Sequence, residues 1–155
     1  MTPQNLQEEI KEMLLEVTKN LTFTNPDGET TRLNVFKQEL PKRKYEEETD
    51  PFPYCVVKII NGNSNATNGA NNTIRVLLIF GVYDGDTENQ GHMTVLEIIN
   101  KIIRRLSENN ALKTFWQTGA IEWAIDDEDV YPYFYGGMDL TFSPIMYTGR
   151  VNDFI

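Results

Sequence analysis

The chain has 155 residues, which is the length of one domain. Its 14 Lys and Arg against 23 Asp and Glu give a formal charge of −9, so we expect no tight nucleic-acid binding, which depends on neutralising phosphates. The one cysteine excludes an internal disulfide, and no leader or long apolar run predicts export or a membrane span. We therefore expect residues 1–155 to form a single domain in the cytoplasm.

Two amphipathic helices are predicted. The first begins at Thr2 and Pro3, because the hydroxyl can cap a first turn and the ring suits the first helical position, and it ends near Asn20. The second spans Met93 to Leu106 and has a wider apolar stripe. Each helix has an apolar face, so both should pack against a common partner layer.

The central strands are predicted at Tyr54–Ile60 and Thr73–Tyr83, because both segments are apolar and rich in β-branched residues. The residues between them, 61–72, are small and polar, which predicts an exposed hairpin tip. A weaker alternation within Thr30–Leu40 predicts a strand exposed on one side, at an edge of the sheet.

The last part of the chain predicts two more strands, at Ile121–Ile125 and Tyr133–Met146. Gly136 and Gly137 interrupt the second of these, which indicates a bulge or a close approach of backbone. A short tail follows at 147–155. The whole order predicts an α+β fold, with an antiparallel-rich or mixed sheet, two flanking helices and an extended hairpin.

The segment from Pro41 to Pro53 is predicted to be a connection, because prolines and blocks of like charge disfavour a sheet. Its basic block is followed directly by an acidic block: Lys42, Arg43, Lys44, then Glu46, Glu47 and Glu48. This charge pattern suits either a solvated linker or complementary patches on a surface that binds a partner.

Two acidic segments are candidate sites. The run from Asp84 to Glu88 resembles a calcium loop, but positions six and twelve would be Asn89 and Val95 instead of glycine and glutamate. The carboxylates of 126–129 could serve a small hydrolase or a ligand-binding domain, although no second acidic motif or nearby histidine supports this. Both segments are better interpreted as solvated connections.

Nucleophilic chemistry would depend on Cys55 and on His92, the only histidine. Cys55 lies in an apolar predicted strand, where a thiol is normally buried, and His92 lies in a loop before the second helix. No phosphate-binding glycine loop or metal-ligand spacing is present in the sequence. We therefore expect a protein that is not an enzyme and that uses no cofactor and no metal.

The order of these segments resembles the tail terminator proteins, also called tail-completion or minor tail proteins, of long-tailed bacteriophages and prophages. The resemblance spans nearly the whole chain and is one of pattern, with no catalytic signature. It is carried by the N-terminal helix and by the segments 53–59, 74–83, 96–103, 121–123, 133–142 and Pro144. Another protein of the phage neck, such as a head-completion protein, would share this pattern.

The resemblance implies a structural role without a reaction. Such proteins form a homo-oligomeric ring, commonly a hexamer, on the last ring of the tail tube, where they end polymerisation of the major tail tube protein and dock the head-tail connector protein. A ring of this kind needs two different complementary patches on each subunit. The chain would then be a virion component, assembled in the host cytoplasm.

Interface candidates follow from this role. The charged blocks at 42–44 and 46–48 could provide complementary patches, and the polar tip, represented by Asn65 and Asn68, could order on a partner. Tyr133 and Tyr135 belong to an aromatic run of a kind enriched in interface cores, although packing within an antiparallel strand of the sheet is the preferred interpretation.

Overall fold

The computed structural model describes residues 2–45, 48–64 and 72–145. Glu46, Glu47, Asn65 and Asn68 lie outside the described residues, as do Met146 and the predicted tail at 147–155. The predicted hairpin tip is therefore described only at its two ends.

The fold is α+β, as predicted, with a five-stranded mixed sheet and a separate two-stranded sheet in the described part of the chain. The elements are α1 (Pro3–Val17), β1 (Phe23–Thr24), β2 (Thr30–Thr31), β3 (Asn34–Lys37), β4 (Tyr54–Asn63), β5 (Thr73–Tyr83), α2 (His92–Glu108), β6 (Phe115–Ile125) and β7 (Tyr133–Pro144).

The strand order in the main sheet is β3-β4-β5-β7-β6. β3 and β4 are parallel, and the other neighbouring pairs are antiparallel, so the sheet is mixed. β5 occupies the centre, as its apolar sequence predicts, and β3 lies at an edge. The small β1-β2 hairpin precedes β3 and turns through the Pro26-Asp27-Gly28 segment.

Both helices pack on one face of the main sheet. Along β5, alternate residues point into this layer and are buried, with exposed fractions of 1% or less: Val76, Leu78, Phe80 and Val82. They share one core with the apolar stripes of α1 and α2. The other face of the sheet carries Arg75, Leu77 and Ile79 of the same strand and has no helix over it in the described part of the chain.

The predicted helix boundaries are close to those observed. Thr2 caps α1, accepting from the Asn5 N–H while the Asn5 side chain accepts from the Thr2 N–H. The helix ends at Val17, three residues before the predicted end at Asn20. α2 is longer than predicted at both ends, so His92 is its first residue and does not lie in the loop before it.

Strand boundaries differ more from the prediction. The predicted strand within Thr30–Leu40 is split, because only Asn34–Lys37 pairs with β4. β4 continues to Asn63, three residues into the predicted hairpin tip. β6 begins at Phe115, six residues before the predicted start at Ile121, and is irregular between Thr118 and Glu122, where Gly119 has a φ of 73°.

The bulge expected at Gly136 and Gly137 is not present, because the register of β7 with both neighbours continues through them. The alternative interpretation, a close approach, is confirmed. A Cβ added to Gly136 would lie 2.7 Å from Val95 Cγ1, so the absence of a side chain lets α2 approach the sheet.

Glu9 of α1 is a buried carboxylate. Its side chain accepts hydrogen bonds from the backbone N–H groups of Lys113 (2.9 Å) and Thr114 (2.8 Å), and from the Thr114 hydroxyl. These bonds join α1 to the connection between α2 and β6. Glu12, one turn later, makes only an exposed ion pair with Lys113.

We predict that Glu9→Ala lowers the free energy of unfolding by about 1–3 kcal/mol, because it leaves two partly buried N–H groups unpaired. Glu12→Ala is the matched control and should cost less than about 1 kcal/mol, as an exposed ion pair contributes little. Urea unfolding of both variants measures the difference. Equal losses in the two variants would contradict the role assigned to Glu9.

Candidate interaction surfaces

The two acidic segments form turns in which carboxylates accept from nearby backbone. Asp84 and Asp86 accept from the N–H groups of Asp86 (2.9 Å) and Glu88 (3.0 Å), each two residues later. Asp126 and Asp129 do the same for Glu128 (3.0 Å) and Tyr131 (3.3 Å). These aspartates therefore stabilise the turns by accepting hydrogen bonds from backbone N–H groups two residues later, which is typical of turns that begin with Asp.

Cys55 is completely buried in the core, and burial raises the pKa of its thiol, so it stays protonated at neutral pH. His92 lies at the start of α2 and is partly exposed. Among the residues that the structure describes, no group of three His, Cys, Asp or Glu residues is placed to hold a metal ion.

No helix in the described ranges is long and apolar enough to cross a membrane.

The charged connection before β4 pairs largely with itself. Arg43 lies 3.5 Å from an Asp50 carboxylate oxygen and donates to the Glu48 carbonyl at 3.1 Å. The Lys44 N–H donates to the Glu48 carboxylate at 3.3 Å. Lys42, Arg43, Lys44 and Glu48 are all exposed, so these contacts fit a solvated linker.

Tyr133 and Tyr135 belong to an aromatic cluster on the sheet face without helices. The Phe52 ring stacks on Tyr133 with a centroid separation of 4.7 Å and lies 6.1 Å from Tyr135. Tyr54 is 5.1 Å from Phe52, and burial raises its pKa to about 12. The cluster, which is completed by Phe36, Leu40, Val56 and Tyr83, packs the end of the charged connection onto the sheet.

Gly81 explains how Tyr54 fits into this cluster. A Cβ at this position would lie 2.4 Å from the Tyr54 ring, so glycine lets the ring lie flat over the neighbouring strand. The tyrosines therefore serve first as packing residues, and they cover the part of the sheet nearest the connection.

The rest of this face is uncovered. We call it the sheet trough: a shallow apolar depression over β5, β7 and β6, lined by Leu77, Ile79, Ala124 and Gly137. Ile79 is 37% exposed, although it lies in the central strand. Gly137 contributes no side chain, which deepens the trough between its neighbours.

One border of the trough is an ion pair between neighbouring strands. Arg75 donates to both carboxylate oxygens of Asp139, with distances of 2.7 to 3.2 Å. The Arg75 hydrogen bonds hold the pKa of Asp139 below its usual value. This rim fixes two charged side chains next to an apolar surface, which is how protein interfaces are commonly bordered.

A second exposed apolar surface lies at the edge formed by β6. Trp123 is 51% exposed beside α2, where it borders a groove lined by Leu96, Asn100 and Ile103. Trp123 pairs with Met138, which is in the main core, so its side chain is on the helical side of the sheet.

Sequence reasoning selected neither Ile79 nor Trp123. The sequence of β5 does not distinguish its buried face from its open face, because both faces are apolar. The sequence around Trp123 has no feature that sets it apart from a buried strand residue. In the structure Gly137 lies opposite Ile79, and a residue without a side chain leaves its neighbour uncovered, but the sequence alone does not show this pairing.

Searches against models of protein families and against curated proteins gave no match to this chain.

We predict that Arg75→Ala raises the pKa of Asp139, because the hydrogen bonds that stabilise the carboxylate are lost while its partial burial, which favours the neutral acid, remains. In the native protein, stability from this pair is present above the unfolded pKa of about 3.9 and is lost as pH falls through the lower folded value. An NMR titration of Asp139 measures the shift. Lys19→Ala, which removes the cation of an exposed pair on α1, should leave that titration unchanged.

Proposed function

We propose that this chain is a tail terminator of a long-tailed bacteriophage or prophage. Its copies form a ring, of six subunits by the resemblance, that caps the tail tube, ends polymerisation of the tube protein and presents the surface for the head-tail connector. The role is structural, and the working site is a set of protein surfaces. The protein acts in the virion after assembly in the host cytoplasm.

The observation that carries this proposal is the uncovered half of the sheet. Leu77 and Ile79 lie on the central strand, a position normally buried on both faces, yet they line an open apolar trough. Exposed contiguous apolar surface with a charged rim is typical of a site that binds another protein. A subunit of a virion needs such surfaces for each neighbour.

The order of elements supports the same proposal. The N-terminal helix, the β4-β5 hairpin and the helix after β5 are the segments on which the resemblance to tail terminators rests, and all three form. The net charge of −9 is compatible with a ring around a channel, because DNA that passes would be repelled and not retained.

The test is the length of tails made without this protein. Inactivation of its gene in the encoding phage should give overlong tails without capsids, because nothing stops addition of tube protein. Electron micrographs of the lysate measure tail length, and supplying the chain from a plasmid should restore normal virions. Tails of normal length beside leaky heads would contradict the terminator role and support a head-completion protein.

A substitution in the trough tests the surface itself. We predict that Ile79→Glu, supplied in place of the native protein, gives at least about a tenfold loss of infectious virions, because a charge buried at an interface costs several kcal/mol. Val130→Glu is a matched control, since Val130 is similarly exposed (38% against 37%) but lies in a turn. Equal titres for the two variants would exclude the trough as a binding surface.

A further inference from the structure

The main sheet has two free edges. β3 and β6 are its outermost strands and have no strand partner on their outer sides in the described part of the chain. The segment before β6 covers only the start of that strand, through a bridge between Ala111 and Trp116. Residues 121–125 of β6 therefore present an open edge, which is a template for pairing with another strand.

At both free edges, the backbone N–H and C=O groups that point away from the sheet belong to residues whose side chains lie on its helical face. At the end of β6, the Asp126 N–H donates to the Tyr135 carbonyl. Because every second residue of an antiparallel strand bonds to a given neighbour, Trp123 and Ile125 do not bond to β7, and their N–H and C=O groups point outward. In β3, the N–H groups of Asn34 and Gln38 donate to the carbonyls of Pro53 and Val57, so Val35 and Lys37 turn their backbone groups outward. The Lys37 carbonyl also accepts from the Glu39 N–H at 2.8 Å, which leaves Val35 as the residue with both outward groups open at this edge.

This placement of the outward N–H and C=O groups allows two copies of the chain to form one continuous sheet. Val35 is in the core beneath the helices, and Lys37 contacts Glu8 of α1, so both are on the helical side, like Trp123. Residues directly opposite each other in a pair lie on the same face. A neighbour's β3 can therefore continue the sheet beyond β6 with all helices on one side.

Strand direction fits as well. From β3 to β6 the pairings are parallel once and antiparallel three times, so β6 runs opposite to β3. When a second copy is placed beside the first in the same orientation, its β3 meets β6 in an antiparallel arrangement. This is a head-to-tail contact between two different surfaces, which generates a ring when the rotation closes.

The exposed apolar side chains at the two edges come together in this arrangement. α1 runs antiparallel to β3, because Glu8 contacts Lys37 near one end and Arg32 donates to the Lys19 carbonyl near the other. Leu15 is seven residues after Glu8, hence on the same side of the helix, beside the middle of β3. It is 42% exposed, and Trp123 occupies the matching place at the other edge.

The charges at the ends of the edges are complementary. Pairing residues 121–125 with 33–37 of the neighbour in antiparallel register brings Asp126, the first acid of the 126–129 turn, opposite the neighbour's Arg32. Both side chains are exposed, and neither has an ion-pair partner among the described residues.

We propose that copies of this chain associate by antiparallel pairing of the β6 edge (121–125) with the β3 edge (33–37) of the next copy, with Trp123 packed on the neighbour's Leu15. The contact deepens the proposed function, on which it rests for the closure of a ring, since it names the surfaces through which subunits join.

Disulfide cross-linking tests the pairing and its register. Ala124 would lie opposite the neighbour's Asn34 as a non-hydrogen-bonded pair, with Cα atoms about 4.5 Å apart, within the range a disulfide spans. The full-length double variant Ala124→Cys/Asn34→Cys is oxidised at high concentration and in virions. Native Cys55 is buried and stays in place. Thermal melting establishes that each variant is folded.

We expect the double variant to form a ladder of covalent multimers. Their amount should be at least about tenfold greater than in the control Ala124→Cys/Ser107→Cys, whose second thiol is on the exposed side of α2. Each single variant should stay monomeric. Dimers from Ala124→Cys alone would overturn the proposal in favour of a twofold contact between β6 edges, and a ladder no stronger than the control in both samples would also overturn it.

A tryptophan comparison gives a second readout that does not depend on cysteine. Trp123→Ala should weaken self-association at least about tenfold, since aromatic residues are frequent hot spots, whereas Trp116→Ala, also exposed on β6, should not. Equal effects would contradict the contact. The outcomes are separable from those of the terminator role: a ladder with normal tail lengths in the gene knockout would retain the edge pairing and reject the terminator.

Discussion

The fold depends on the alternation of side chains along β5. This strand is bonded on both sides, to β4 and to β7, and its even-numbered residues 76–82 fill the core beneath both helices. A shift of one residue in register would exchange these for Arg75, Leu77 and Ile79. Because that exchange would bury the Arg75 side chain, which is paired with Asp139 on the open side, the register is fixed from both faces.

The same alternation leaves the molecule with apolar surface to cover. A central strand with apolar residues on both faces normally lies between two layers. Among the described residues, the second layer consists only of the aromatic cluster around Phe52, which covers Gly81 and stops before Ile79. The trough is therefore what remains of a face that the chain's own described residues only half cover, which is why we propose a partner protein as its occupant.

Most of the fold could be predicted because it rests on local periodicity. The two helices and the central strands are long, regular segments, and their residues repeat at the spacing of their own secondary structure. The first half of β6 was missed because Gln117, Thr118 and Gly119 lack the strand pattern; Gln117 is buried and its side chain donates to the carbonyls of the next two residues. No local pattern encodes that arrangement.

Contacts distant in sequence account for the other differences. The sequence alone suggests that Glu9 is a surface residue of α1. It does not show that the carboxylate accepts from two backbone N–H groups more than a hundred positions later. The charged blocks at 42–48 were chosen as interface candidates from composition, and the described ones pair mainly within the connection. The exposure of Ile79 and Trp123 depends on strand order, which a single sequence does not show.

Net charge and edge pairing act against each other in the proposed ring. Copies that each carry −9 repel one another, whereas one antiparallel pairing of five residues and a Trp123–Leu15 contact form a small interface. Such a contact is weak between free subunits and gains strength when a template holds neighbours at high effective concentration. The end of a tail tube is a template of this kind, so a subunit with these properties would stay dispersed until a tube is available and would close a ring there.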